Sequence, residues 1–294
     1  MDEASPAVEW DVEKGAELVP GRSVVRLLGG GERYETYLAW DDSLFALVVV
    51  KILRPHLVDD RHALRGLADE VRLLELLRHP VIVRSFDADL DGARPHVVLE
   101  HLEGPRLSTL VRRFGPLERE QLLPLGLQLC SALHYLGGRG IVHLDVKPSN
   151  IIMGAPARLI DLSIARPVEK LVGTRHRLGT DAYMSPEQCD PLGRGPITPA
   201  ADIWGVGATL YHAVSGHAPF PARSSREERF PQLREQPEAL PERVPPAVRR
   251  LLAACLDPDP AERPAPAALA AELELLVDAL PKRPLLGRFR VRTR

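Results

Sequence analysis

The spacing of apolar residues along the chain changes near residue 104. Before that point, four short runs rich in β-branched and aromatic residues predict strands: SVVRLL, YETYLAW, LFALVVVKIL and HVVLEHL. Between the last two runs, residues 59–79 carry leucine and valine at helical spacing. The first part of the chain is therefore expected to form a mostly antiparallel sheet with one inserted helix.

Beyond the EGP turn at residues 103–105, the pattern predicts helices instead. They fall on LSTLVRRF, REQLLPLGLQLCSALHYLGG, ADIWGVGATLYHAVSG, PPAVRRLLAACL and PAALAAELELLVDAL. A sheet-rich part followed by a helical part indicates an α+β fold with a small and a large lobe. The proline- and arginine-rich residues 219–246 are expected to form a surface loop.

The composition is that of a globular protein with a sizeable core. The chain has 294 residues, of which 45% are hydrophobic and 27% charged, with a net charge of −2. This balance gives no indication of nucleic-acid binding or membrane insertion, and the first residues lack the apolar core of a signal peptide. The three cysteines are far apart without a CxxC pair, which predicts a reducing, cytoplasmic location.

The stretch HLDVKPSN concentrates an acid, a base and an amide in a segment whose proline excludes a helix interior. Asp145 can orient or deprotonate a hydroxyl nucleophile, and Lys147 can neutralise charge on a transferred group. Asn150 offers a neutral oxygen ligand for a hard cation. Further on, Asp161 follows the apolar run ARLI, and a second carboxylate suits Mg²⁺ held together with phosphates.

Three upstream features are compatible with phosphate binding. The glycines at 29–31 lie between two predicted strands, where backbone N–H groups can approach phosphate oxygens; a plain hairpin turn is the alternative. Lys51 ends an apolar strand and needs a charge partner unless its ammonium group reaches solvent. Glu70, on the predicted helix, can supply that charge, or it can be an ordinary solvated helix residue. Each acid alone can also be a turn residue. The occurrence of all the charged and amide residues in this order along the chain is difficult to obtain by accident: Lys51, Glu70, Asp145, Lys147, Asn150 and Asp161.

Together these motifs resemble the signature set of the protein kinase family. VVVK resembles the strand lysine motif, HLDVKPSN the catalytic loop, DLS the metal-binding motif, and SPE the end of the activation segment. Further similar stretches are GTDAYMSPEQ, ADIWGVGATLYHAVSGHAPF and LDPDPAERP, so the resemblance covers nearly the whole chain. The KPSN form is similar to that of serine/threonine kinases, and the overall likeness is to the eukaryotic-like kinases of bacteria.

The resemblance implies a bilobal protein kinase fold over residues 19–280. It divides the chain into a loose N-terminal tail, a small lobe, a hinge, a large lobe and a basic C-terminal tail: 1–18, 19–99, 100–104, 105–280 and 281–294. It implies an enzyme that transfers the γ-phosphate of ATP to serine or threonine hydroxyls of proteins, with Mg²⁺ as the cofactor and Mn²⁺ as an alternative.

The resemblance also implies roles for single residues. ATP phosphates would contact Lys51 and the backbone of Gly29, Gly30 and Gly31, with Glu70 orienting Lys51. Mg²⁺ would be held by Asn150 and Asp161. The catalytic pair would be Asp145, which aligns the substrate hydroxyl, and Lys147, which stabilises the γ-phosphoryl group.

Other implied roles concern the hinge and the activation segment. The adenine would bind backbone groups from Glu100 to Leu102, with Leu99 as the gatekeeper. Thr180 would contact the catalytic aspartate, and Thr174 is the candidate for autophosphorylation, with an unmodified loop threonine as the alternative. Three residues would be structural: Arg263 would form an ion pair with Glu187, and Asp202 would brace the catalytic loop.

Several positions depart from the family pattern. Tyr34 stands where the third glycine is expected, so a bulky loop tip is predicted to weaken nucleotide closure, and Thr36 replaces the usual valine. Leu144 replaces the arginine that often receives an activation-loop phosphate, which predicts less dependence on such phosphorylation. Leu162 and Ser163 turn DFG into DLS, with less backbone freedom at the serine. None of these removes a group that phosphoryl transfer needs.

Two other functions stay open at this point. A pseudokinase would use the same fold as a nucleotide-binding or scaffolding module; the altered glycine loop and DLS favour it, and the intact charged residues oppose it. A kinase of small molecules is disfavoured by the SPE and GTDAY stretches, which resemble a platform for protein substrates. A regulatory partner and a homodimer are both compatible with the sequence, which identifies neither.

Overall fold

The computed structural model describes residues 8–220 and 229–280, and it confirms the two-part α+β organisation. The small lobe contains a six-stranded sheet in which every pair of neighbours is antiparallel, in the order β1-β2-β3-β4-β6-β5. Its strands are β1 (Glu17–Val19), β2 (Arg22–Gly30), β3 (Tyr34–Asp41), β4 (Ala46–Leu53), β5 (Ser85–Asp89) and β6 (His96–Glu100).

One helix, α1 (Arg61–Leu76), is inserted between β4 and β5, as the leucine spacing predicts. It begins where the Asp60 carboxylate accepts the backbone N–H groups of His62 at 2.9 Å and Ala63 at 2.7 Å, which satisfies the free donors of the first turn. Its buried face includes Leu67 and Leu74 together with the charged Glu70. Packing of the leucines against the sheet therefore carries a carboxylate toward β4.

The large lobe is helical, and its helices lie where the apolar periodicity predicts them. They are α2 (Leu107–Phe114), α3 (Arg119–Gly137), α4 (Pro186–Cys189), α5 (Ala200–Ser215), α6 (Pro246–Cys255) and α7 (Pro266–Asp278). Only the short α4 has no counterpart among the predictions. The core of the lobe is built around α5, whose Trp204 and Tyr211 are fully buried.

Short strand pairs position the loops between α3 and α4. The antiparallel pairs are β7 (Ile141–Val142) with β10 (Arg166–Pro167), and β8 (Ile151–Ile152) with β9 (Arg158–Leu159). They fix both ends of the HLDVKPSN segment, which is a loop ending in a single 3₁₀ turn, as predicted. The same pairs place the end of that loop beside the segment that carries Asp161.

Residues 8–18 of the predicted N-terminal tail are ordered, which differs from the expectation of a loose segment. The Trp10 backbone N–H donates to the Glu35 carboxylate at 3.1 Å, and its indole N–H donates to the Leu53 carbonyl at 2.7 Å. Because Trp10 and Leu18 are apolar and pack on the sheet, the acidic composition of this segment was misleading. Residues 1–7 lie outside the described part of the chain, as does the predicted basic tail 281–294.

The predicted surface loop at 219–246 is only partly described, because residues 221–228 lie outside the described ranges. Beyond that gap, Phe230 and Gln232 are buried, so this part of the segment packs onto the lobe. Within the two described ranges, no helix has the length and apolar character needed to span a membrane.

Candidate active site

A cavity of about 490 Å³ lies between the sheet and the loops of the large lobe. Many of the residues singled out from the sequence line it: Lys51, Glu70, Leu99, Glu100, Leu102, Asn150 and Asp161. Gly29, Gly30 and Gly31 do not belong to its lining, although the neighbouring Leu28 and Thr36 do. The structure thus brings the predicted nucleotide and metal residues together and leaves the glycines at the margin.

Lys51 lies on β4 between two carboxylates. Its Nζ is 2.8 Å and 2.9 Å from the two carboxylate oxygens of Glu70 and 2.9 Å from Oδ1 of Asp161. Burial opposes the charge of Lys51, but Glu70 and Asp161 outweigh it and raise the pKa of the ammonium group. Burial would likewise raise the pKa of Asp161, but the contact with Lys51 holds it well below its usual value. Both groups are therefore charged at physiological pH.

The HLDVKPSN loop forms one connected network. The Thr180 hydroxyl donates to Oδ1 of Asp145 at 2.8 Å, and the Lys147 ammonium group lies 2.8 Å from Oδ2 of the same carboxylate. Lys147 also donates to the Thr180 hydroxyl, and Asn150 donates its amide to Oδ2 of Asp145 at 3.0 Å. These contacts orient the Asp145 carboxylate before any substrate binds.

Asp202, in the first turn of α5, binds the start of the HLDVKPSN loop. Its carboxylate accepts the backbone N–H of His143 at 2.7 Å and that of Leu144 at 2.8 Å. Leu144 has a left-handed backbone with φ of 69°, a conformation that costs about 1–2 kcal/mol for a residue other than glycine. The two hydrogen bonds to Asp202 help to maintain this strained backbone directly before Asp145.

The side chain of Leu144, at the position where the resemblance leads one to expect an arginine, packs in an apolar cluster. Its buried neighbours come from β7, the activation segment, the segment before α5, and α5 itself: Val142, Leu171, Ile197 and Ala201. Apolar packing cannot recognise a phosphate, but it holds the activation segment against the catalytic loop without one. Weak dependence on activation-loop phosphorylation stays a prediction.

A buried ion pair joins α4 to the segment before α7. Arg263 donates through Nη1 to Oε1 of Glu187 at 2.7 Å and through Nη2 to Oε2 at 2.9 Å, and both side chains have no exposed surface. Arg263 also donates to the carbonyl oxygens of Asp257 at 2.8 Å and Ala200 at 3.0 Å. The structure therefore contains the Arg263–Glu187 pair that the resemblance implied.

Sequence reasoning missed Gln188, whose side chain links three segments. Its Oε1 accepts the Ser185 backbone N–H at 3.0 Å, while its amide donates to the carbonyls of Leu144 at 2.8 Å and Leu178 at 2.7 Å. The spacing of serine and glutamine in SPEQ is that of a capping box, so this helix start was detectable in the sequence.

The segment expected to form the hinge also makes contacts that the sequence did not reveal. The Glu100 carboxylate accepts the Arg84 guanidinium at 3.0 Å and the Arg158 guanidinium at 3.1 Å, one from each lobe. Because its side chain is committed to these arginines, Glu100 is available to the cavity mainly through its backbone. The partners are 16 and 58 residues away along the chain, so no local pattern could indicate them.

The donor set at the inner end of the cavity fits a hard divalent cation. The Asn150 amide N–H₂ is turned toward Asp145, which leaves its carbonyl oxygen free to face the cavity that Asp161 also lines. Oδ1 of Asp161 accepts from Lys51, so Oδ2 is the oxygen available to a cation. One carboxylate oxygen and one amide oxygen at the same cavity match the ligands that Mg²⁺ prefers.

Thr174 lies apart from this network, in the activation segment. Its backbone N–H donates to the Leu171 carbonyl at 3.1 Å, and it borders a second cavity of about 360 Å³ together with Arg175 and Leu192. Arg177 is directed elsewhere, because its guanidinium donates to the Cys189 carbonyl at 2.8 Å.

Comparison with known proteins agrees with this geometry. A family model described as protein kinase domain matches residues 22–273. The probable serine/threonine-protein kinase PkwA of Thermomonospora curvata is 34% identical over 261 residues, which cover 86% of this chain and 34% of that protein. Serine/threonine-protein kinase PknB of Mycobacterium tuberculosis is 32% identical over 234 residues, covering 76% and 36%.

A third relative is serine/threonine-protein kinase AfsK of Streptomyces coelicolor, 32% identical over 253 residues that cover 85% of this chain and 31% of that protein. The matched region spans about a third of the length of these bacterial relatives. The family match covers most of the chain and both lobes, and the chain therefore belongs to the protein kinase family, whose two-lobed fold it adopts.

Proposed function

We propose that the protein transfers the γ-phosphate of ATP to serine and threonine hydroxyls of other proteins. The observation that carries this proposal is that Asn150, which lines the same cavity as Lys51, Glu70 and Asp161, also donates to Asp145 at 3.0 Å. Asn150 thereby links the cavity to the network of Asp145, Lys147 and Thr180. Phosphoryl transfer needs positioned charges more than covalent chemistry, and both clusters supply positioned charges.

The residues of the cavity bind the parts of the nucleotide and its cation separately. Lys51 contacts ATP phosphates and is kept in place by Glu70, while the hinge backbone from Glu100 to Leu102 holds the adenine. When bound, a divalent cation at Asn150 and Asp161 neutralises charge on the phosphates; kinases generally use ATP with such a cation, and Mg²⁺ is our choice, with Mn²⁺ as the alternative.

The reacting hydroxyl lies beside Asp145. As its oxygen bonds to the γ-phosphorus, the bond from that phosphorus to the β–γ bridging oxygen breaks, and Asp145 accepts the hydroxyl proton. Lys147 stabilises the negative charge of the transferred group from the same side. Thr180 holds the carboxylate in the orientation that this step needs.

Transfer of labelled γ-phosphate from Mg·ATP to a generic basic protein tests the proposal. Asp145→Asn is expected to lower the rate by about 100- to 10,000-fold, the usual contribution of a positioned acid–base group. Asp59→Asn makes the same charge change at an exposed site before α1 and is expected to keep the wild-type rate. Equal rates for the two variants would contradict the role of Asp145. No transfer by the wild type, with Mn²⁺ also tried, would favour a pseudokinase.

Thr174 is our candidate for autophosphorylation. Thr174→Ala is expected to reduce self-labelling but to change the rate toward an added substrate less than about threefold, because Leu144 cannot bind a phosphate. Phosphosite mapping by mass spectrometry and rates with the added substrate check both parts. A large loss of activity toward the substrate would show that the apolar cluster does not order the activation segment alone.

We also propose a hinge at residues 100–104 and a kinase domain that ends at residue 280. Its start lies before the expected residue 19, because Trp10 and Leu18 pack with the sheet. A regulatory partner or homodimer stays an open possibility. A cytoplasmic location is proposed because the three cysteines are buried and unpaired, which suits a reducing compartment.

A further inference from the structure

Tyr34 stands in the place of the third loop glycine and was expected to form the loop tip. The structure places it elsewhere. It begins β3, where it pairs with Leu53 of β4, while Thr36 pairs with Lys51. Residues two apart on a strand share a face, so Tyr34 and Lys51 are diagonal neighbours on the same side of the sheet. The Lys51 Nζ lies 4.5 Å from the centre of the Tyr34 ring.

The ring adds an aromatic contact to an ammonium group that is already paired with two carboxylates. Lys51 has three N–H donors, and Glu70 and Asp161 together accept them at 2.8–2.9 Å. An aromatic face attracts a cation, most strongly where water is excluded, and Lys51 is only 8% exposed. Burial, followed by the nearby Glu70, raises the pKa of Tyr34 to about 12, so the phenol stays neutral beside the lysine.

The far end of the same ring reaches α1. The Tyr34 hydroxyl lies 4.0 Å from the position that a Cβ would take on Gly66. Gly66 precedes Glu70 by one helical turn on the same face of α1. Tyr34 therefore begins the strand that follows the glycine hairpin, its ring lies beside the lysine, and its hydroxyl lies near the helix that supplies the partner of that lysine.

We propose that Tyr34 is a positioning residue for Lys51, whose ammonium group it holds beside Glu70 in readiness for the phosphates of ATP. The inference rests on the proposed function. It reverses the expectation that a bulky residue at this position weakens nucleotide closure. A glycine here would lack the aromatic contact with the ammonium group that binds the phosphates.

Two variants separate this role from space filling. Tyr34→Phe keeps the aromatic face, and Tyr34→Leu removes it while keeping an apolar side chain. Tyr34→Leu is expected to lower kcat/KM for ATP by about 5- to 30-fold, mainly through a higher KM, whereas Tyr34→Phe stays within about twofold of wild type. Tyr135→Leu removes a different aromatic–cation contact, the one with Arg139 outside the cavity, and should leave KM for ATP unchanged.

Equal KM values for the leucine and phenylalanine variants would overturn the proposal, because filling the space would then be sufficient. A lower KM in Tyr34→Leu than in wild type would overturn it as well, since the ring would then obstruct the nucleotide.

A second measurement needs no activity. The chain has five lysines, so protein labelled with ¹³C and ¹⁵N in lysine gives few side-chain signals, and Lys51→Met identifies that of Lys51. Its ε-CH₂ signal is expected to be shifted upfield by the ring in wild type and in Tyr34→Phe, and to lose that shift in Tyr34→Leu. An unchanged signal in Tyr34→Leu would overturn the Tyr34 proposal, whereas absent phosphate transfer by the wild type would overturn the proposed function alone.

Discussion

Arg263→Ala is expected to lower the free energy of unfolding by about 3–5 kcal/mol, the usual effect of removing one partner of a buried ion pair. Neither Arg263 nor Glu187 has exposed surface, so the remaining Glu187 carboxylate could not recover its hydration. The substitution would also remove the donors to the carbonyls of Asp257 and Ala200. Loss of these contacts would leave α4 and the start of α5 without their common anchor.

Urea unfolding of wild type, Arg263→Ala, Glu187→Ala and the double variant measures this effect. The double variant is expected to be less destabilised than the sum of the single ones, because neither charge is then buried alone. Arg229→Ala is the matched control. Its ion pair with Asp181 is about half exposed and is expected to contribute only about 0–1 kcal/mol. A loss in Arg263→Ala no greater than in this control would contradict the anchoring role.

The helices were predictable, and the candidate catalytic residues could be singled out, because their signals are local. The leucine spacing of α1 indicates which face of the helix is buried. A proline, an acid and an amide within HLDVKPSN indicate a loop with candidate functional residues. Lys51 and Glu70 required one further step, since an apolar strand that ends in lysine needs a partner from elsewhere. That partner was found because the inserted helix offered a suitable carboxylate.

Other features were not predictable, because they depend on contacts between distant segments. Glu100 meets arginines from both lobes, and Trp10 is ordered by a carboxylate and a carbonyl of the sheet. Tyr34 was misinterpreted for a related reason. Its position in the glycine motif indicated a loop tip, whereas the pairing of β3 with β4 determines that its ring faces Lys51.

Lys51→Met is expected to lower kcat/KM by about 100- to 1,000-fold, the loss typical of removing one preorganised electrostatic contact to a reacting group. The lysine supplies the positive charge that the cavity presents between Glu70 and Asp161. Methionine has a similar length but no charge, so the phosphates would meet two carboxylates without the cation between them. Steady-state transfer with varied ATP measures the effect.

Lys170→Met is the control for that substitution. Its side chain is 52% exposed and lies 3.7 Å from Asp69, a surface pair expected to contribute about 0–1 kcal/mol. This variant is expected to keep the wild-type rate, because Lys170 does not line the cavity. Comparable losses in the two lysine variants would show that methionine harms the fold in general, and would contradict a specific role for Lys51.

The pH dependence of stability gives Lys51→Met a second, independent signature. Burial raises the pKa of Glu70 even beside Lys51, so its protonated form favours the folded state, and this contribution is lost as the pH rises through the folded pKa. Lys51 opposes that rise and also holds the pKa of Asp161 down, which stabilises the fold above the unfolded pKa of the aspartate. Without Lys51, the pKa of Glu70 would rise further and the pKa of Asp161 would no longer be held down. The folded state would therefore lose the stabilisation of both carboxylates at high pH. The deficit of Lys51→Met relative to wild type in urea unfolding is therefore expected to be larger at about pH 8 than at about pH 5, and an equal deficit at both would contradict the coupling of these three groups.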